Sequence, residues 1–209
     1  MSDFFAFINR MKYIERWGLM RNTVSDNLQE HCFQTAVLAH ALCLIDGKYF
    51  GGTLVPERAA LYALYHDAPE IITGDMPTPV KYYNSDIRSI YGEIEKNAED
   101  KLVGMLPEDF REDFAKIIGF ENADADYKAI VKAADKISAY LKCVEEERCG
   151  NSEFLKAKAS LLDIITNLGM PCVDYFMEHF AEGFGKPLDE LGRDTADKAS
   201  QDGGTPADD

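Results

Sequence analysis

Apolar side chains recur at three- and four-residue steps along almost the whole chain, and almost no segment alternates with period two. A chain with that pattern has to bury helices against helices. Phe4, Phe7, Ile8, Met11 and Ile14 form the first stripe, which predicts a helix reaching about Trp17 and Gly18. After a polar loop, Asn27 with Glu30 three residues on has the form of a capping box, and His31, Thr35, Leu38, Leu42 and Ile45 then share one face. Pro56 opens a third helix, since a proline in the first turn sacrifices no intrahelical bond; ERAALYALYHDAPEII continues it, to stop before Gly74. Gly74, Pro77 and Pro79 make TGDMPTP a constrained loop. Further helices are predicted over 87–106, 108–118, 124–149, 152–168 and 172–184. Hydrophobic residues make up 46% and charged residues 28% of the 209, enough for a sizeable core. Residues 1–191 therefore read as one all-α domain, and 192–209, which lack large apolar groups, as a disordered polar tail.

Charge and cysteine content narrow the function. With 22 basic against 37 acidic residues the net charge is -15, the opposite of what a phosphate backbone attracts, so binding to a nucleic acid polymer is disfavoured. Five cysteines, odd in number and without a C-x-x-C pair, suit a reducing compartment and neither a disulfide framework nor a zinc ribbon. MSDFFAFINRMKYIERW does not read as a signal peptide, and the longest apolar stretch, Ala36 to Ile45, is too short to cross a bilayer. The expectation is a soluble, cytoplasmic protein with no membrane partner.

Three of the four histidines lie beside an acidic residue, His31 after Glu30, His66 before Asp67 and His179 after Glu178. The informative one is His66, followed by Asp67 and, one turn on, by Glu70. Adjacent helical residues lie about 100° apart, so an imidazole and the next carboxylate can converge on a point beside the axis. A divalent ion would satisfy that convergence, and the imidazole and carboxylate donors suit Mn, Fe, Co, Ni or Zn. Two ligands do not make a site. His31 and Asp135 are the natural additions: each sits on an otherwise apolar helix, where a buried carboxylate needs a partner. No Glu-x-x-His pair is present, which removes a two-metal carboxylate bundle.

The order His31, His66-Asp67, Asp135 resembles that of the HD superfamily of metal-dependent phosphohydrolases. Within it, RWGLMRN, QEHCFQTAVLAHAL, HDAPEIITGDMPTPVKY, KAADKISAYLKCVEE and DYFMEHF are similar to the bacterial 5'-deoxynucleotidase family, over roughly Phe4 to Leu191. The resemblance implies an HD-domain helical bundle with additional peripheral helices, acting as a homodimer on deoxyribonucleoside 5'-monophosphates, which it hydrolyses to deoxyribonucleosides and phosphate. It implies one divalent transition-metal ion per chain, with Co, Mn, Ni or Zn fitting the donors, held by His31, His66, Asp67 and Asp135. Glu70 and Asp75 match acidic residues placed around the attacking water and substrate, and Arg16 and Trp17 match a substrate-contacting pair. Thr78 and Lys81, towards the end of the loop, complete the substrate-binding candidates.

Two departures stand out: NLQEH leads to His31 where a serine before Glu-His is usual, and Pro69 replaces a small polar residue, so the turn holding Glu70 is expected to be kinked. Asp75 has a competing reading as a cap of its own loop. Glu145, Glu146 and Glu147 read as a solvated helix face. The competing functions are another HD phosphohydrolase, acting on a triphosphate or a signalling nucleotide, and an HD protein that binds nucleotides without turnover. The first needs more basic residues than the motifs themselves carry.

Overall fold

The structure, a computed structural model, describes residues 2–81, 83–119 and 123–192; the side chain of Thr78 and most of the expected 192–209 tail lie outside the described residues. Ten α-helices carry the described fold: α1 (Phe4–Ile8), α2 (Leu28–Ile45), α3 (Pro56–Tyr65), α4 (Glu70–Thr73), α5 (Thr78–Lys81), α6 (Ser85–Gly104), α7 (Glu108–Ile118), α8 (Ala125–Arg148), α9 (Leu155–Thr166) and α10 (Pro171–His179). Among the described residues the sole β-type pairing is an isolated antiparallel bridge between Glu15 and Asn27.

The core forms where α2 lies against α3 and α8, with α9 and α10 closing it. Leu38 and Leu42 from α2 meet Ala59 and Ala63 from α3 and Val131, Ala134 and Ile137 from α8, all buried. The alanines let the helix axes approach closely, which brings the polar residues at the edge of this contact together. All five residues of the predicted α2 stripe are buried, and the Asn27 side chain accepts from the amides of Gln29 and Glu30 at 3.1 Å each. A second cluster, of Phe4, Ala68, Leu102, Leu106 and Ile118, holds the turn after α3 against the amino-terminal segment and the α6–α7 corner.

Three boundaries differ from the periodicity. The first stripe ends early: α1 passes into a 3₁₀ turn over Asn9–Tyr13, and Ile14 is extended. The Leu28 amide donates to the Ile14 carbonyl (2.9 Å) and the Arg16 amide to that of Asp26 (2.8 Å), so long-range pairing takes the backbone from the helix. The third stripe breaks at Pro69, where a proline has no amide to offer the Tyr65 carbonyl; the Ala68 amide takes it instead, at 3.0 Å, and a turn over 66–69 separates α3 from α4. The last stripe ends as α10 at His179, followed by a 3₁₀ turn over Ala181–Gly185.

Candidate metal centre and substrate cavity

α2 and the end of α3 deliver His31, His66 and Asp67 to one point, and α8 brings Asp135 beside His31. One donor atom from each of His31, His66 and Asp67 lies within 4.8 Å of the others. Asp135 joins through His31: its Oδ1 is 3.2 Å from His31 Nε2. Asp67 Oδ2 is central, 3.2 Å from His66 Nε2 and 3.6 Å from His31 Nε2.

Hydrogen bonds on the far side of each ring test whether a cation fits. His66 Nδ1 lies 2.6 Å from the Ala63 carbonyl, which can only accept, so Nδ1 carries the proton and Nε2 presents a lone pair. His31 Nδ1 lies 3.1 Å from Ser138 Oγ, whose own proton goes to Gln34 Oε1 at 2.7 Å, so Ser138 accepts from His31. Burial, and then the nearby Arg16 charge, lower the His31 pKa and keep the ring neutral, leaving its Nε2 a lone pair as well. Two imidazole lone pairs thus face carboxylate oxygens, and His66 Nε2 is buried with no hydrogen-bond partner among the described residues. A divalent ion resolves the conflict, and the donors fit one. Burial opposes the Asp135 charge, but its pKa is held low, with the Lys136 ammonium at 2.8 Å supplying a positive charge beside it.

Of the remaining candidates, Arg16 and Asp75 lie near this point and Lys81 lines the adjoining cavity, whereas the ring contact of Trp17 is with Phe154. Arg16 spans two carboxylates, with Nε 3.3 Å from Asp26 Oδ2 and Nη1 3.5 Å from Asp67 Oδ2. Burial opposes its charge, yet Asp67, Asp135, Asp26 and Asp75 together raise its pKa. Trp17 is the sole non-glycine residue with positive φ among those described, at 58°, and its ring packs 5.4 Å from that of Phe154. Its buried indole Nε1 has no partner among the described residues. Asp75, just past Gly74 at φ 74°, is partly buried in the same field; desolvation raises its pKa against the pull of Arg16. Lys81 Nζ is 2.9 Å from Glu95 Oε1 and lies over the Tyr91 ring, so it is held in a wall and not loose in solvent.

Glu70 is buried, and its Oε2 has no hydrogen-bond partner among the described residues. Desolvation first, then the Asp67 and Asp75 charges, push its pKa up to about 9. The carboxyl is therefore protonated near neutrality. In metal-free protein this has a measurable consequence. The folded chain keeps a proton that the unfolded chain releases, so Glu70 contributes stability below its ordinary 4.5 that is lost as pH rises toward about 9. The melting temperature of chelated protein should fall between about pH 6 and pH 9, and Glu70→Gln should flatten that slope. Equal slopes in the two proteins would mean that Glu70 is already ionised.

Beside His66, Asp67, Glu70 and Asp135 opens a cavity of about 620 Å³, closed by α6, α8 and α9. Arg88, Lys96, Lys132 and Lys136 line it; the first two lie outside the motifs, and the last two stand within KAADKISAYLKCVEE without having been singled out. Their net effect is moderated, because Lys81, Lys96 and Lys136 each pair with an acid at 2.8–2.9 Å. Sequence reasoning also missed Asp26, Gln34 and Ser138. Ser138 was detectable: it stands three residues after Asp135, one turn along the same face of α8.

The sequence matches the family model described as 5'-deoxynucleotidase YfbR-like over residues 3–184. It is 51% identical to 5'-deoxynucleotidase VP0926 of Vibrio parahaemolyticus, across 91% of this chain and 98% of that protein. In fold it is similar to an HD-domain phosphohydrolase from Listeria innocua, with a TM-score of 0.76 at 20% identity over 96% of each chain. It is also similar to the cyanophage S-2L HD phosphohydrolase DatZ, bound to dA and one catalytic Zn2+ ion, with a TM-score of 0.62 at 19% identity over 87% of this chain and 96% of that one. An all-α arrangement shared with HD-domain phosphohydrolases, and half the positions identical to a relative matched almost end to end, place this chain in the YfbR-like 5'-deoxynucleotidase family.

Proposed function

We propose that the chain hydrolyses deoxyribonucleoside 5'-monophosphates to deoxyribonucleosides and phosphate, using one divalent transition-metal ion held by His31, His66, Asp67 and Asp135. The observation that carries the reading is the pair of imidazole lone pairs aimed, with Asp67 Oδ2, at a common point beside a nucleotide-sized cavity. The names of the family and of its Vibrio relative support the substrate class. When bound, the ion supplies Lewis acidity toward water and the phosphoryl oxygens. Arg16 offers its planar fork to the phosphate, which matters in a chain of net charge -15. Glu70 holds a proton and delivers it to the leaving 5'-oxygen. Trp17 and Asp75 close over the sugar, Lys81 completes the wall, and Thr78 is a further substrate-binding candidate.

The test is release of inorganic phosphate from mono-, tri- and cyclic nucleotides in chelator, then with Mn, Co, Ni, Zn or Mg restored. Activity should vanish on chelation and return better with a transition ion than with Mg, because imidazole favours borderline ions. Faster turnover of triphosphates or cyclic nucleotides would favour the alternative phosphohydrolase, and binding without turnover a non-catalytic protein.

Sugar selectivity gives a sharper outcome. A ribonucleotide must clash with Trp17 and Asp75 or bury its 2'-hydroxyl without a partner, so the deoxy form should be preferred roughly ten- to hundredfold in kcat/KM. Trp17→Ala should narrow that gap, whereas Arg16→Ala should weaken all substrates alike. Equal turnover of the two sugars in the wild-type protein would defeat the assigned substrate.

We also infer a homodimer. α2 is apolar on both sides, and its outer face leaves Phe33 65%, Val37 53% and Leu44 38% exposed, a surface suited to a second copy. Light scattering on the purified protein tests this. A cytoplasmic location fits the five free cysteines, four of them buried. No helix of the described residues is long and apolar enough to cross a membrane.

A further inference from the structure

Glu146 is fully buried, against the expectation that Glu145, Glu146 and Glu147 form a solvated face. Its carboxylate accepts from the Thr23 amide (2.9 and 3.1 Å), the Val24 amide (3.1 Å) and Asn151 Nδ2 (2.7 Å), and it pairs with Lys142, itself buried. Lys142 also donates to the Val24 carbonyl, and Asn151 to the Arg21 carbonyl at 2.7 Å. Through the Thr23 and Val24 amides and the Arg21 and Val24 carbonyls, this group is tied to the backbone of residues 21–24.

That backbone is the tip of the loop between Arg16 and Asn27. Its neck is closed by the hydrogen bond that the Arg16 amide donates to the Asp26 carbonyl and by the Glu15–Asn27 bridge. Trp17 stands at the start of the loop in the left-handed region, a conformation that an aromatic residue keeps only where its surroundings enforce it. Those surroundings are the same group of residues: the Trp17 ring lies on Phe154, and Lys142 Nζ lies 5.7 Å from the Phe154 ring centre. Burial opposes the Glu146 charge, but Lys142, Asn151 and the two amides outweigh it and hold its pKa down at about 2, so the Glu146 carboxylate is ionised throughout the working range. Asp135, Ser138, Lys142 and Glu146 follow one another at steps of three, four and four, so one polar stripe of α8 runs from the metal centre to the clamp.

We propose that Glu146 is a positioning residue for nucleotide recognition: through residues 21–24 it holds the loop in the conformation that presents Trp17 and Arg16 to the site. The proposal rests on the reading that these two residues contact substrate. It concerns KM and sugar choice, not the chemical step. An amide at position 146 would turn an NH2 group toward Lys142 or the Thr23 and Val24 amides, placing donor against donor and freeing the loop tip.

Trp17 is the only tryptophan, so its fluorescence reports the loop independently of any substrate. In metal-loaded Glu146→Gln, Trp17 emission should shift to the red and acrylamide quenching should rise. KM for deoxyribonucleoside monophosphates should rise roughly ten- to hundredfold, as expected when a binding group is misplaced by about an ångström, while kcat and metal content stay near wild type. The deoxy-over-ribo ratio should fall with it. Where Glu146→Gln folds poorly, the double variant Lys142→Met with Glu146→Leu removes both charges together and leaves neither buried alone, and the same shifts in fluorescence, KM and sugar ratio are expected. Unchanged fluorescence, or a mobile Trp17 with KM and sugar ratio unaltered, would overturn the proposal. Arg16→Ala and Trp17→Ala run alongside separate the two failures: if they too leave KM and selectivity untouched, the substrate roles of the loop residues fall; if they shift them and the Glu146 variants do not, only the clamp falls.

Discussion

Asp67→Asn should empty the metal centre and abolish phosphate release while leaving the fold intact. The substitution preserves shape but replaces Oδ2, the atom 3.2 Å from His66 Nε2 and 3.6 Å from His31 Nε2, by either a neutral oxygen or an NH2 group. An NH2 group there would donate to the imidazole lone pairs and satisfy them without an ion. Loss of an outer-shell partner already costs about 10- to 100-fold in metal affinity, so loss of the central anionic donor should exceed about 100-fold. Metal analysis after dialysis checks this, together with the melting temperature with and without added ion. The wild-type protein should be stabilised by the ion, and the variant should not respond. Metal-free, the variant should melt no lower than the wild type, because the facing acceptors have been relieved. Full metal occupancy in the variant would remove Asp67 from the ligand set.

Glu70→Gln should lower kcat by about 10²- to 10⁴-fold, the usual contribution of a positioned acid or base, with metal content and KM near wild type. The buried, unpartnered Oε2, and a pKa raised to about 9 in the metal-free protein, describe a carboxyl able to hold a proton beside the site. The nature of its task can be separated by the leaving group. An aryl phosphate, whose phenolate departs without protonation, should lose far less rate in the variant than a deoxyribonucleotide. Equal losses on both would place Glu70 at the attacking water. Pro69→Ser tests the geometry behind this, since Pro69 breaks α3 one residue before Glu70 and the short α4 then carries the carboxyl. Tolerance of the serine would show that the turn survives without the ring.

The local features of this fold were legible because they are written in neighbouring residues. The span predicted for α7 matches residue for residue, and the Asn27 cap and the apolar stripe after it are where the spacing puts them. At Pro69 a kink was legible, since a missing amide acts on a carbonyl four residues away, but the full break into α3 and α4 was not. The end of the first helix was not legible: Ile14 has the right spacing, but its carbonyl is claimed by Leu28 across the loop. Glu146 was hidden in the same way. Flanked by Glu145 and Glu147 it looks like solvent-facing charge, and what buries it is a backbone segment more than 120 positions away in the chain.

By itself, the sequence determined that the chain is helical throughout, and it picked out His31, His66, Asp67 and Asp135 as one chemical set, because helical periodicity and the isolation of polar residues on apolar faces are properties of short spans. Only the tertiary structure decided which nitrogen of each imidazole is free, because that depends on the Ala63 carbonyl and on a serine brought over by α8. It alone decided that Glu70 keeps its proton and Glu146 loses its own. The two carboxylates are chemically identical and both buried; one meets other acids and an empty oxygen, the other meets an ammonium and amide donors, and a carboxyl's charge follows the donors around it.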